Sequence, residues 1–478
     1  MTAFMHTILF LLALAIYVMG WVAAAHAALT ARTSQGAIAW AVSLAFLPFF
    51  ALVPYALFGR SHFGRYVDAH RTQNRKFREI SKQIDLNNDF SISSDALTIP
   101  DLTALKALIE LTHAPFSSGN SVQLLVDGSE TFPALFAAIA TATRYIVVQY
   151  YIVADDGLGR KLMECLLKKA REGVSVYFLV DGFGSHLLPD AYLAELRAAG
   201  VSAHRFLRPR RRANRFQLNF RNHRKIVVVD GEQAFIGGLN VSDQYLGLKP
   251  PMSPWRDTHI QIRGPAVASI QLAFIEDWYW ATHDIPALSW KPAPSSDNIR
   301  CQIIASGPAD EYETCVLFFV QAINSAMHRI WIATPFYVPD EAVFVALKLA
   351  ALRGVDVRLL VPARAECLMH LITTLYAHEA VRSGFMVYQY QPGFMHQKVV
   401  LVDDQISAVG SANLDNRSLR LNFEIIALIV DREFASRVEA MLLEDFTRAI
   451  PIRPHDYDHV SLLYRLGMQT SRLFAPIL

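Results

Sequence analysis

The sequence predicts an α/β protein in which two similar domains follow an N-terminal two-helix transmembrane hairpin. Three observations lead to this prediction. Two long uncharged apolar runs stand at the N-terminus, the same order of strand-like and helix-like segments then occurs twice, and a Pro- and Ser-rich stretch separates the two copies. A chain of 478 residues also exceeds what one hydrophobic core usually organises, so more than one folded unit is expected.

The first element is the pair of apolar runs. Residues 7–31 contain no Asp, Glu, Lys or Arg, and residues 37–59 form a second uncharged run that is interrupted by Pro48 and Pro54. Each run is long enough to cross a hydrocarbon core of ~30 Å as a helix of ~20 residues. A cleaved signal peptide and buried core helices are the alternatives. Because no Lys or Arg precedes the first run and a second run follows at once, we expect a hairpin over residues 1–60.

The charges beside the runs predict an orientation. Between the runs stands one basic residue, Arg32, whereas six follow the second run: Arg60, Arg65, Arg71, Arg75, Lys76 and Arg78. The positive-inside rule therefore puts the main body of this multi-pass protein on the cytoplasmic side of the membrane. Residues 61–110 form a basic and polar juxtamembrane segment, placed where anionic headgroups lie.

The repeat follows this segment. The first copy has a strand pattern at 145–153, a helix pattern at 161–171 and a strand pattern at 174–180; the second has them at 329–338, 341–352 and 355–361. The Pro- and Ser-rich residues 285–298 suit a linker. We therefore predict a first domain over 111–284 and a second over 299–478.

Each copy contains one polar motif of the form H-x-K-x4-D-x6-G-x-x-N. The first consists of His223, Lys225, Asp230 and Asn240, and the second of His396, Lys398, Asp403 and Asn413. One such motif could be accidental. A duplicate with an identical tail, at matching places in two repeats, indicates one shared active site.

Strand geometry separates the members of each motif. Side chains two residues apart share a face, so the His and Lys point together, while the Asp seven residues after the His has the opposite parity. We therefore expect His and Lys to face substrate and the Asp to support the structure. Imidazole can act as nucleophile or proton shuttle, lysine supplies positive charge for phosphoryl oxygens, and the Asn amide adds a donor.

Several phrases around the motifs resemble the bacterial cardiolipin synthases of the phospholipase D superfamily. They are Leu-Asn-Phe-Arg-Asn-His-Arg-Lys (218–225), Gly-Gly-Leu-Asn (237–240), Trp-Arg-Asp-Thr-His (255–259), Thr-Pro-Phe-Tyr-Val-Pro (334–339) and Asn-Leu-Asp-Asn-Arg-Ser (413–418). Gly238 replaces the Ser common in the wider superfamily, and Gly-Gly at this place is similar to cardiolipin synthases. The resemblance implies two phospholipase D-type α/β/α sandwich domains with pseudo-twofold symmetry.

The resemblance also implies a reaction. His223 would attack one phosphatidylglycerol, His396 would protonate the departing glycerol, and a second phosphatidylglycerol would then take the phosphatidyl group from the enzyme. Lys225, Lys398, Asn240 and Asn413 would hold the phosphate oxygens, without a metal or cofactor. Asp257 and Glu424, which follow their motifs by 34 and 28 residues, are candidate carboxylates for orienting the histidines.

Other functions stay open at this point. A phospholipase D hydrolase, or a phosphatidyltransferase with another donor and acceptor, would use the same motifs. A nuclease of the superfamily is disfavoured by the apolar runs, so no nucleic-acid partner is expected. A catalytically inactive lipid-binding protein is disfavoured by the intact motifs. An oligomer is possible, and the net charge of +2 does not by itself indicate a polyanionic partner.

Two further stretches have more than one interpretation. Residues 204–225 carry eight arginines and Lys225, either as a solvated loop or as a surface for anionic lipid headgroups. Residues 460–478 mix leucines with Arg465 and Arg472, and we expect a docked terminal helix, with interfacial membrane contact as the alternative. The four cysteines have no metal or disulfide spacing and are expected to be reduced.

Overall fold

A computed structural model describes residues 2–31, 34–59, 91–92, 106–112, 116–206, 220–364, 367–456 and 460–472. Most of the juxtamembrane segment and most of the arginine-rich stretch lie outside these ranges. The predictions made for Arg32, for the six basic residues from Arg60 to Arg78 and for the arginines at 208–215 therefore remain predictions.

Three helices form the N-terminal part: α1 (Thr2–Thr30), α2 (Ser34–Phe46) and α3 (Pro48–Phe58). Only α1, among the described helices, is long and apolar enough to cross a membrane by length and composition. The second apolar run is divided between α2 and α3, so the second membrane-spanning segment of the hairpin remains a prediction. Both contribute to a small cluster with α1 that includes Ala27, Leu44 and Tyr55.

Proline explains the division. Pro48 stands at the start of α3, where its missing N–H is not needed. A residue that precedes proline is disfavoured in the helical region, and Leu47 has φ −128° and ψ 50°. The helix therefore ends before Leu47 and begins again after it.

The first half of the folded body alternates strands and helices. Its strands are β1 (Ser91–Ile92), β2 (Phe116–Val126), β3 (Tyr145–Tyr150), β4 (Ser175–Asp181), β5 (Ser202–Phe206), β6 (Arg221–Asn222), β7 (Ile226–Val229), β8 (Gln233–Gly237), β9 (Trp255–Arg256) and β10 (Thr258–Arg263). Its helices are α4 (Lys106–Thr112), α5 (Asp127–Thr141), α6 (Gly157–Arg171), α7 (Asp190–Ala198) and α8 (Ala266–Thr282), with a 3₁₀ turn at Asp243–Leu246.

The second half repeats this order. Its strands are β11 (Ile299–Ser306), β12 (Arg329–Ala333), β13 (Tyr337–Val338), β14 (Asp356–Pro362), β15 (Met386–Tyr390), β16 (Phe394–Met395), β17 (Val399–Val402), β18 (Ile406–Gly410), β19 (Leu414–Asp415), β20 (Asn422–Val430) and β21 (Ala449–Pro451). Its helices are α9 (Thr314–Ser325), α10 (Glu341–Leu352), α11 (Cys367–Arg382), α12 (Asn416–Arg420), α13 (Arg432–Thr447) and α14 (Leu462–Ser471).

Sheet topology confirms the internal repeat. In the first half the strand order is β5-β4-β3-β7-β8-β10-β2, and in the second it is β15-β14-β12-β17-β18-β20-β11. The three strands at one end of each order are parallel, as expected for strands joined through helices. The equivalent strands therefore occupy equivalent places in the two sheets.

The strand β2 joins the two halves. Its residues 121–126 pair with β10, and Ser117 and Asn120 pair with β11, so one strand belongs to both sheets. Alternate residues of β3 face different layers: Val147 lies in a cluster with residues of α8 and α13, whereas Ile146 and Val148 lie in a cluster with α5, α6 and α7. A shared inner layer thus holds helices from both halves, which confirms the α/β/α sandwich.

The C-terminal helix α14 docks on α11. Met468 is fully buried, and Arg472 forms an ion pair of 3.0 Å with Glu379. The expectation of a docked helix is therefore confirmed for residues 462–471. The domain boundaries and the linker at 285–298 remain predictions.

Candidate active site

The two histidines are placed by strands that cross between the halves. The short strand β6, which precedes His223, pairs with the beginning of β20, and β16, which precedes His396, pairs with β9. The His223 amide donates to the Phe423 carbonyl (2.9 Å), and the His396 amide donates to the Arg256 carbonyl (2.7 Å). Each motif is thus anchored on a strand of the opposite half.

The carboxylates pair crosswise as a result. Nδ1 of His223 lies 2.9 Å and 3.0 Å from the two oxygens of Glu424, and Nδ1 of His396 lies 2.7 Å from Oδ2 of Asp257. Each carboxylate is the residue after the carbonyl that accepts from the histidine amide. Both predicted carboxylates therefore reach a histidine, but in the other half of the chain. Sequence spacing contains no signal for this exchange.

Both imidazoles are neutral in the free protein. Burial lowers the pKa of His223 and lowers that of His396 to about 3, more than the paired carboxylates raise them. A neutral ring that donates from Nδ1 to a carboxylate keeps a lone pair at Nε2. The arrangement therefore presents Nε2 of each ring as a nucleophile or base.

The two lysines are buried beside the histidines. Nζ of Lys225 donates to the His223 carbonyl at 2.6 Å, and Nζ of Lys398 donates to the His396 carbonyl. Burial lowers the pKa of Lys225 to about 7 and that of Lys398 to about 8. The positive charge of each lysine also lowers the pKa of the histidine in the other motif. The two motifs therefore form one electrostatic site.

The asparagines border the same site. Asn240 donates to the Tyr245 hydroxyl (3.0 Å), and its Oδ1 accepts from the Ile152 amide (3.1 Å). Asn413 donates to Oδ2 of Asp415 (3.1 Å). Each amide nitrogen has two hydrogens, and one acceptor is found for each nitrogen among the described residues. The second hydrogen of each amide can therefore be donated to a bound ligand. Phosphate binding by these amides remains a prediction.

Asp230 and Asp403 are not brought into the site. The Asp230 carboxylate accepts from the amides of Thr143, Arg144 and Tyr145 at 2.7–2.9 Å, where β3 begins. Asp403 accepts from the amides of residues 327–329 at 2.8–3.0 Å, where β12 begins. Asp230 and Asp403 belong to the motifs that indicate the shared active site, but the structure separates both carboxylates from the histidines. Their opposite strand parity is the physical reason.

The residue between His and Lys in each motif is also structural. Arg224 forms a buried ion pair of 2.9 Å with Asp277 on α8. At the matching place Gln397 donates to Asp445 on α13, at 2.8 Å. Because these side chains point away from the histidines, they attach the first motif to α8 and the second motif to α13.

The tail of the motif differs between the halves. Ser411 donates to Oε2 of Glu424 at 2.5 Å, and Ser418 donates to Oε1 at 2.8 Å. Gly238 occupies the position in the first motif that Ser411 occupies in the second. A Cβ at Gly238 would overlap the Asp257 carboxylate. The glycine therefore lets Asp257 reach His396. Sequence reasoning missed both serines as partners of Glu424, although Ser418 stands in one of the phrases that carry the resemblance.

The described part of the arginine-rich stretch has several roles. Arg205 donates to two carbonyls and pairs with Asp190, while Arg224 pairs with Asp277. Arg221 lies two residues before His223 and is 8% exposed. Neither a fully solvated loop nor a continuous headgroup surface describes these three side chains.

Comparison with known proteins gives the family. Residues 135–270 and 319–446 match the family described as cardiolipin synthase, PLD-like domain. Cardiolipin synthase A of Pseudomonas aeruginosa (strain LESB58) is 52% identical over 473 residues, which cover 99% of this chain and 96% of the relative. Cardiolipin synthase A of Pseudomonas putida (strain W619) is 51% identical, with 97% of each chain covered.

A solved structure supports the fold alone. The phosphatidylserine synthase of Haemophilus influenzae Rd KW20 is similar with a TM-score of 0.61 and 16% identity, over 79% of this chain and 100% of that chain. The match of both halves to one domain description agrees with the repeated topology and the crosswise site. The chain belongs to the cardiolipin synthase family of phospholipase D-like proteins.

Proposed function

We propose that this chain is a cardiolipin synthase, which transfers a phosphatidyl group from one phosphatidylglycerol to another and releases glycerol. The observation that carries the proposal is the pair of buried neutral imidazoles, His223 and His396, each held by a carboxylate of the opposite half. Two such groups on either side of phosphorus suit a reaction with two successive in-line displacements.

In the first step Nε2 of His223 attacks phosphorus, and the bond from phosphorus to the glycerol oxygen breaks. His396 donates a proton to that oxygen. Although the pKa of His396 is low in the free protein, a bound phosphodiester anion favours its protonated form. Glu424 stabilises the charge that develops on the His223 ring, and Lys225 and Lys398 stabilise the phosphoryl oxygens.

In the second step His396 is the base. It takes the proton from a headgroup hydroxyl of the second phosphatidylglycerol, whose oxygen attacks phosphorus. The bond from phosphorus to His223 Nε2 breaks, and cardiolipin leaves. The proton that glycerol carried away is thereby replaced, so His396 ends the cycle protonated, as it began it in the complex with the donor lipid.

The membrane arrangement is part of the proposal. Helix α1 would span the bilayer of a bacterial cytoplasmic membrane, and α2 with α3 would return beside it. The basic residues from Arg60 to Arg78 favour the cytoplasmic side for the folded halves. This placement would bring the site to the leaflet that contains anionic lipid.

The test supplies purified full-length protein with phosphatidylglycerol labelled in the headgroup glycerol, and no other lipid. Cardiolipin and free labelled glycerol in equal amounts are expected. Phosphatidic acid without cardiolipin would indicate the alternative, a phospholipase D hydrolase. Product that forms only after phosphatidylethanolamine is added would indicate another donor and acceptor pair.

Variants connect the reaction to the site. His223→Ala and His396→Ala should each abolish turnover, since neither imidazole alone can supply both nucleophile and proton carrier. His328→Ala is the matched control, because this exposed histidine lies just before β12 and outside the site. Turnover retained in either site variant would contradict a shared active site.

A further inference from the structure

The two flanks of the site differ, although its reacting groups are duplicated. Arg221, His223 and Lys225 are spaced by two residues and share one direction, and the second copy has Phe394, His396 and Lys398 at the same places. The Phe394 ring packs 4.9 Å from Trp255 and 5.8 Å from His396. At equivalent positions, the His396 side of the site therefore has the ring of Phe394 and the His223 side has the guanidinium of Arg221.

The Arg221 guanidinium is held in place without a carboxylate partner among the described residues. It lies 3.5 Å from the centroid of the Phe183 ring and donates to the Phe220 carbonyl at 3.1 Å. The nearby carboxylate of Asp181 instead accepts from the amides of Phe183, Gly184 and Asn222 at 2.7–2.9 Å. Burial and Arg417 lower the pKa of Arg221 more than Tyr151 and the charge of Asp181 raise it, so a bound anion would stabilise this cation.

A second guanidinium lies close to the first. Arg417 belongs to α12, which begins three residues after Asn413. Burial lowers the pKa of Arg221, and the positive charge of Arg417 lowers it further. Both arginines also affect the Tyr151 hydroxyl. Burial raises the pKa of this hydroxyl, and the charges of the two guanidinium groups lower it. Two like charges in one partly desolvated place are typical of anion sites.

Tyr151 connects this pair to the reacting groups. Its ring lies 5.0 Å from the His223 ring, and Nζ of Lys225 lies 5.5 Å from its centroid. The arginine pair therefore borders the place where phosphorus reacts, rather than forming a remote surface patch.

We propose that Arg221 and Arg417, together with Tyr151, form a second anion subsite that binds the phosphodiester of the acceptor phosphatidylglycerol. This inference rests on the proposed function, because a reaction between two anionic lipids places two phosphates in one site. The acceptor phosphate is three carbons away from the hydroxyl that reacts. The catalytic lysines hold the first phosphate, and the arginine pair holds the second.

The test compares an anionic with a neutral acceptor. In cardiolipin formation the acceptor is phosphatidylglycerol, which is anionic. In the incorporation of labelled glycerol into phosphatidylglycerol, the same phosphatidyl-enzyme reacts with glycerol, which is a neutral acceptor. In Arg221→Gln and Arg417→Gln, cardiolipin formation should fall by about ten- to a hundred-fold, as for loss of a charge-assisted contact. Glycerol incorporation should change by less than about three-fold.

Conservative and control variants separate binding from folding. Arg221→Lys should recover part of the cardiolipin rate, and Tyr151→Phe should show a smaller version of the same selective loss. Arg263→Gln, an exposed residue at the far end of β10, should leave both reactions unchanged. An equal loss of both reactions in Arg221→Gln and Tyr151→Phe, or no loss in either, would overturn the subsite.

Inorganic phosphate separates a lipid headgroup from a free anion. Phosphate could inhibit cardiolipin formation by the wild-type protein but not by Arg221→Gln, while the KM for phosphatidylglycerol stays unchanged. This result would assign the arginine pair to free phosphate and contradict the proposal. A raised KM for phosphatidylglycerol supports it. If wild-type protein makes no cardiolipin but incorporates glycerol, the proposed function has failed instead, which the comparison of acceptors reveals directly.

Discussion

The imidazole of His223 is hydrogen-bonded to Glu424, a carboxylate 201 residues away in the other half of the chain. His396 and Asp257 form the reciprocal pair across 139 residues. Each half of the molecule therefore contributes one histidine and the carboxylate that orients the other. Neither half contains a complete nucleophile or a complete proton carrier.

The first prediction concerns these carboxylates. Glu424→Gln and Asp257→Asn keep the side-chain size but remove the charge that stabilises the developing imidazolium. We expect kcat to fall by about 100- to 1,000-fold in each variant, with little change in KM. Steady-state kinetics on phosphatidylglycerol measure this, with circular dichroism as a check on folding. Normal turnover in both folded variants would remove the carboxylates from the mechanism.

The second prediction uses the difference between Gly238 and Ser411. In Gly238→Ala the new Cβ would displace Asp257, so we expect turnover to fall by about 100-fold or more. Ser411→Ala removes one of several donors to Glu424, and a loss of about ten-fold is expected. The measurement is the kcat of each variant relative to that of the wild-type protein. A larger effect at Ser411 than at Gly238 would contradict it.

The third prediction is the pH dependence. A lysine is charged below its pKa and neutral above it, and the pKa values of Lys225 and Lys398 are lowered to about 7 and about 8. We therefore expect kcat/KM, which reports the free enzyme, to decline as the pH rises through this range.

Unfolding would not explain that decline. A lysine whose pKa is lower in the folded state binds fewer protons there than in the unfolded chain, so its effect on stability becomes more favourable as the pH rises. A thermal unfolding temperature that stays constant or increases between pH values of about 7 and 9 is the control. A kcat/KM that rises through this range would contradict the role of the lysines.

The fourth prediction concerns Asp230 and Asp403. Each carboxylate accepts from three consecutive backbone amides, so Asp230→Ala and Asp403→Ala should lower the free energy of unfolding by about 2–3 kcal/mol. Turnover at low temperature should be largely retained. Urea denaturation measures the change in stability. Comparison of kcat at roughly 15 °C and roughly 37 °C shows whether turnover is lost only where the variants unfold. Unchanged stability together with abolished turnover would make these residues catalytic.

Local patterns made much of this fold predictable. The strand and helix patterns at 145–153, 161–171 and 174–180 correspond to β3, α6 and β4, and the second copy follows the same order. These elements depend on periodicity within one segment, which sequence records directly. The parity of Asp230 and Asp403 is equally local, and it separates them from the histidines.

Long-range pairing could not be predicted in this way. The crosswise contacts of Glu424 and Asp257 depend on the pairing of β6 with β20 and of β16 with β9, which no spacing within either motif records. The same holds for Arg221, whose neighbours Phe183, Tyr151 and Arg417 come from three separate segments. The division at Leu47 was open to sequence reasoning, because Pro48 stood within the predicted helix.

The strand β2 constrains how the two lipids can enter. Because it is hydrogen-bonded to β10 of one sheet and, through an irregular pairing, to β11 of the other, separation of the halves would break hydrogen bonds of this strand. Donor, acceptor and product would then exchange while β2 still joins the two sheets.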